Sequence, residues 1–144
     1  MRSWERGGGV IEGRHAKGFE ISVEKDYILL RVEPGRTVTA DLLFEMLGEA
    51  YSLSAYQSES RAGLWDFRGC SSDLHHEGMQ KIRDYVTSHY DPSWSVKVTA
   101  LVGEGDLTYG LSRMYEALSD RIPTALEVFR DIDEAAEWLR KKVG

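Results

Sequence analysis

From Gly18 onward two hydrophobic periods take turns along the chain, and this alternation restricts the fold more than any other feature. Phe19, Ile21 and Val23 alternate with Glu20, Ser22 and Glu24, the period of two of a half-buried strand. Only Lys25 and Asp26 separate this run from Tyr27 to Val32, where Ile28, Leu30 and Val32 share a face. The pair predicts an antiparallel hairpin, stopped by Pro34-Gly35. Leu42, Leu43, Met46, Leu47 and Ala50 then recur at helical spacing over about 40–53, with Thr39 placed to cap and Asp41 in the first turn. Leu64 to Phe67 predicts a short strand. Leu74, Gly78, Ile82 and Val86 mark a helix that Asp91-Pro92 ends. Ser95 to Val102 is the next strand, GEGD a turn, and Leu107, Leu111, Met114 and Leu118 another helix. Pro123 precedes the strand Ala125 to Phe129. The last helix starts in DIDEAAEWL, with Asp131 and Glu134 at capping-box spacing and Ile132, Ala135, Trp138 and Leu139 on its apolar side. Strands alternating with helices in this order predict an α/β fold with a mostly parallel sheet.

The strands are not the continuous Val/Ile/Leu runs of a sheet buried equally on both faces. Right-handed crossovers that always advance the same way put their helices on one side. The expected fold is therefore a sheet of about five strands, the first antiparallel and the rest mostly parallel, with about four helices mainly on one face. The reverse face is expected to carry Glu20, Ser22, Tyr27, Leu29, Arg31, Lys97 and Thr99. Leaving Leu29 and Tyr27 wet is costly, because burying a large apolar side chain is worth about 1.5–3 kcal/mol. A symmetric homodimer through this face, or through the edge made by the first strand, is the expected solution state.

The chain has 144 residues, enough for one domain and one core. A net charge of −6 opposes binding to nucleic acid or anionic membrane. One cysteine excludes an internal disulfide and suits a reducing compartment. No run reaches the ~18–20 apolar residues of a membrane span, and the start lacks the apolar core of a secretory signal. A cytoplasmic protein without membrane insertion is expected. Residues 1–17 are Gly-rich and weakly patterned and are expected to be a flexible tail; residues 11–14 read IEGR, a protease-recognition tetrapeptide, introduced or native.

Three stretches carry a family resemblance: GLWDFRG (63–69), VTALVGEGDLTYGLSRMYEAL (98–118) and VFRDIDEAAEWL (128–139). With the element order, they resemble the SpoIIAA-like superfamily, which includes the STAS domains of anti-sigma-factor antagonists and the CRAL-TRIO lipid-transfer domains. The chain looks most like the bacterial STAS/CRAL-TRIO-like family of small stand-alone proteins, over residues 18–139. In STAS antagonists a serine after the third strand, in a D-S-S-G-like motif, is phosphorylated by a partner kinase. The matching region here reads FRGCSSDL, so the resemblance makes Ser71 and Ser72 phosphorylation candidates, although the preceding aspartate and the following glycine are missing.

Read by their chemistry alone, Ser71, Ser72 and Asp73 favour helix N-termini and are expected to cap the following helix. His75, His76 and Glu77 are consecutive, so on a helix they diverge by about 100° per residue and are not expected to bind a metal. Cys70 lacks an orienting group that would make it a nucleophile. GEGDLTYG has no lysine after it, and Glu104 and Asp106 would repel a phosphate, so no nucleotide or other cofactor is expected. Asp66 and Arg68 point to one side at a strand's carboxyl end, where ligands of open α/β sheets bind. The loops 68–73, 103–108 and 130–133 are expected to gather there. Tyr109, Arg113 and Glu116 form one helical stripe, a surface pair or an anchor for a partner. The expected function is a non-enzymatic, STAS-like regulatory or protein-interaction module, with Asp66, Arg68, Trp94, Tyr109 and Arg113 as ligand or partner candidates. The alternative is a carrier or sensor of a small apolar or lipid-like ligand, lined by Trp65, Phe67, Trp94, Met114 and Tyr115. No catalytic set emerges, and an enzyme ranks third.

Overall fold

The hairpin forms where the period of two places it. In the computed structural model, which describes residues 9–11, 17–119 and 124–143, β2 (Phe19–Val23) and β3 (Ile28–Val32) pair antiparallel, and the Glu24 amide donates to the Tyr27 carbonyl at 2.8 Å to close the turn. Gly9–Ile11 forms a further strand, β1, antiparallel to β2. The edge expected at β2 is thus paired. The other residues of 1–16, including 12–14 of the IEGR run, lie outside the described residues, as does Pro123.

The remaining elements are β4 (Thr37–Val38), α1 (Ala40–Tyr51), a π-helical turn (Ala55–Glu59), β5 (Ala62–Asp66) and β6 (Ser71–Ser72). They continue with α2 (His76–His89), β7 (Val98–Val102), α3 (Leu107–Leu118), β8 (Ala125–Phe129) and α4 (Ile132–Val143). Among the described residues the main sheet has the order β1-β2-β3-β5-β7-β8, parallel from β3 to β8, and β4 and β6 form a separate parallel pair. Thr39 caps α1 by accepting from the Leu42 amide at 3.2 Å. Asp131 caps α4: its Oδ1 accepts from the amides of Asp133 (2.7 Å) and Glu134 (3.3 Å).

The links β3–α1–β5, β5–α2–β7 and β7–α3–β8 each join neighbouring parallel strands in the same direction. One handedness therefore sends all three helices to one face, where they enclose the larger core around Phe19, Leu30, Trp65, Leu101, Leu47 and Ile82. α4 links no two neighbouring strands of the described sheet, so the crossover rule does not set its side. It packs on the reverse face, with Ala135, Ala136 and Leu139 over Leu29, Leu64, Ala100 and Val102. Alanines on both sides of this contact let helix and sheet approach closely. The helices lie mainly on one face, as expected, but the reverse face is not left for a second subunit: Leu29 is 4% exposed in this second core. Thr99 also belongs to the three-helix side, since it stands in register with Gly63 and Leu126, while Val98, Ala100 and Val102 face α4. No helix among the described residues is long and apolar enough to cross a membrane.

Candidate functional site

One helix cannot cover the reverse face of so wide a sheet. Alongside α4, above β3, an open cavity of about 270 Å³ remains. Its floor is apolar, from Leu29 on β3 and Ile132 and Ala136 on α4. Its lining carries three arginines, Arg31, Arg68 and Arg140, and three acids, Glu24, Asp66 and Asp133. Tyr27, Leu29 and Arg31 share this side because successive odd positions of a strand point one way.

Asp66 ends β5 and is 1% exposed. Arg68 grips it with two parallel bonds, Nε to Oδ1 and Nη2 to Oδ2, each 2.9 Å, and the Arg68 amide also donates to Oδ1 at 3.1 Å. This fork-to-fork geometry is the strong form of an ion pair. Arg31 Nη1 stands 3.9 Å from Asp66 Oδ2, so the two guanidinia flank one buried carboxylate. The Asp66 hydrogen bonds hold the Arg68 guanidinium above its ordinary pKa against the opposing desolvation that ranks next, with the charges of Asp66, Glu104 and Asp133 adding smaller support. The Phe67 amide donates to the Val102 carbonyl at 2.8 Å and the Gly103 amide to the Phe129 carbonyl at 3.1 Å, so the three loops leave the carboxyl edge side by side. The turn that aims Arg68 needs Gly69, whose φ is +79° and where a Cβ would stand 3.0 Å from that of Pro34.

At the other end of the cavity, Arg140 Nε bonds Asp26 at 3.1 Å, and Ser22 donates to the Glu24 carboxylate. Burial, with Glu24 adding to it, holds the Tyr27 phenol above its ordinary pKa, so it remains a hydrogen-bond donor. The sequence singled out Asp66 and Arg68 but not Glu24, Arg31 or Arg140 as site residues. The available signal was Arg31, a charge inside the otherwise apolar run ILLRV.

The other candidates lie elsewhere. Ser71 and Ser72 do not cap α2. They form β6 and pair with Thr37 and Val38, and α2 starts later, with His75 at its N-cap and no side-chain cap bond. The extended backbone of 71–73, fixed by the Ser71 amide on the Arg36 carbonyl and the Asp73 amide on the Val38 carbonyl, is what moves the helix start. Ser71 is exposed and shares a 3.0 Å hydrogen bond with Thr37. Ser72 is half-buried: its Oγ accepts from the Leu74 amide at 3.2 Å and sits beside Gly110 of α3. Trp94 leads into β7 at the amino end of the strands, in tilted contact with Tyr51 and edge-on contact with Tyr56 and Tyr90, at the opposite end from Arg68. Tyr109 and Arg113 stand on the outer face of α3. Tyr109 is 69% exposed, and Arg113 lies over its ring at 5.7 Å and donates to its hydroxyl at 3.1 Å. Beside them a groove of about 200 Å³ runs between α2 and α3, lined by Met79, Arg83, Arg113 and Glu116 among others. Trp65, Phe67 and Met114 are packed in the main core, and Tyr115 is a surface residue of α3.

Cys70 is half-buried against the carbonyls of Val32 and Glu33. Burial, with the Asp66 charge adding and Arg31 opposing, pushes its thiol up to about 11. Alkylation by iodoacetamide at pH 8 should therefore run roughly 30–100-fold slower than for a free thiol, and accelerate as pH rises toward 11. A rate at pH 8 equal to that of a model thiol would contradict this environment. Among the described residues no three His, Cys, Asp or Glu side chains are grouped to hold a metal ion. The chain as a whole matches no family model, no curated protein and no solved structure.

Proposed function

We propose that this protein is a non-enzymatic regulatory module of the STAS type, which acts by binding a protein partner through the outer face of α2 and α3. The antiparallel hairpin followed by three one-directional parallel crossovers is consistent with a STAS-like topology. The observation that carries the reading is the Tyr109–Arg113 pair. A large aromatic that is 69% exposed, held by an arginine beside a groove, has the composition and pre-organisation of an interface hot spot. The serine pair lies against the first turn of α3, because Ser72 abuts its buried Gly110. A phosphate on exposed Ser71 would change the charge beside it. The carrier reading is weaker, because Trp65, Phe67 and Met114, three of the side chains it would use, fill the core.

The test is site-specific photo-crosslinking in the protein's own cells. A benzoylphenylalanine at position 109 should give a discrete protein adduct that untagged protein competes away and that Arg113→Glu abolishes. The same probe at Glu45, exposed on α1, should give none. No adduct at 109, or the same adducts at both positions, would overturn the proposal.

A further inference from the structure

The cavity alongside α4 has an order that the partner reading does not use. β3 runs along its floor, and Tyr27 to Arg31 spans about 13 Å at the usual rise of a strand. α4 runs back the other way, so Asp133 lies at the Arg31 and Arg68 end, and Arg140, two turns later, at the Tyr27 end, where it meets Asp26. The cavity therefore has two polar ends and an apolar middle made by Leu29, Ile132 and Ala136.

The two ends differ in chemistry. At the carboxyl edge two guanidinia flank one buried carboxylate, and Arg68 spends only Nε and one Nη2 contact on Asp66. Its remaining N–H groups are donors with no competing proton to lose, suited to a carboxylate. At the hairpin end Arg140 is bound to Asp26, and the Glu24 carboxylate and the Tyr27 hydroxyl line the wall. A carboxylate beside a phenol oxygen suits an ammonium group. A simple anion would meet Glu24 and Asp133 as well as the arginines, and a simple cation would meet three guanidinia. The balanced lining favours a ligand that carries both charges, and about 270 Å³ is small for a lipid.

We propose that this cavity binds a small zwitterion of the amino-acid type, with its carboxylate toward Arg68 and its ammonium toward Glu24, separated by a short apolar segment over Leu29. The site is on the opposite face of the sheet from Tyr109, so it stands or falls independently of the partner surface.

Three matched probes test it by amide NMR titration: 6-aminohexanoate, hexanoate, which lacks the ammonium, and pentylamine, which lacks the carboxylate. The expected result is saturable shifts at Leu29, Arg68 and Asp133 with 6-aminohexanoate, and at least tenfold weaker binding of the other two. Glu24→Gln should weaken 6-aminohexanoate while leaving hexanoate unchanged, and the same spectra report whether the variant is folded. Equal binding of hexanoate would make the site a plain anion site, and equal binding of pentylamine a plain cation site; either overturns the proposal. So does the absence of saturable shifts with all three probes.

Discussion

Arg68→Ala should destabilise the fold by about 2–4 kcal/mol. Asp66 is 1% exposed and receives both fork bonds from Arg68. Removing one partner of a buried ion pair leaves an uncompensated charge and costs about 3–5 kcal/mol. The Arg68 side chain is itself 35% exposed, so water admitted in its place recovers part of that cost. Arg31, at 3.9 Å, and the Arg68 amide remain as weaker support. Chemical denaturation should show a lower midpoint with an unchanged slope. Adding Asp66→Asn to Arg68→Ala should restore a good part of the loss, because the orphaned charge is gone. A loss below 1 kcal/mol for the single variant would show that the pair is incidental to the fold.

Leu139→Ala should cost about 2–5 kcal/mol, the usual range for emptying a fully buried leucine site. Leu139 is wholly buried between α4 and the reverse face of β5 and β7. Its helix neighbours in the contact, Ala135 and Ala136, are too small to expand into the gap. Leu29→Lys reads the same layer from the strand side. If that face joined two subunits, the lysine variant would dissociate and keep its stability. With α4 covering Leu29, the variant should instead lose stability at any protein concentration, because it exchanges a buried apolar side chain for a charge. Unfolding midpoints at two concentrations, with light scattering alongside, separate the two outcomes.

The local features were legible in proportion to how local their causes are. The hairpin, the Thr39 and Asp131 caps and the shared face of Tyr27, Leu29 and Arg31 depend on periods of two and on side chains within three residues of the backbone they bond. β7 was misread in register. Thr99 was expected on the reverse face, but Val98, Ala100 and Val102 pack there, Leu101 lies in the three-helix core, and both faces of the strand are buried. Where both sides of a strand are covered, the apolar pattern no longer says which side is which. The serines were misread because the partner that straightens them, Thr37-Val38, lies more than thirty residues away.

From its sequence alone this protein is an α/β chain with one hairpin and three same-sided crossovers, because turn chemistry, periodicity and the handedness of βαβ links are properties of the L-amino-acid backbone. Only the tertiary structure decided where α4 goes, because α4 links no two strands of the described sheet and burial of Leu29, Leu64 and Ala100 selects the open face. That one choice covers the expected dimer surface. It also closes the wall of the cavity at Arg68, and so brings Arg140 and Asp133 to residues more than sixty positions earlier in the chain.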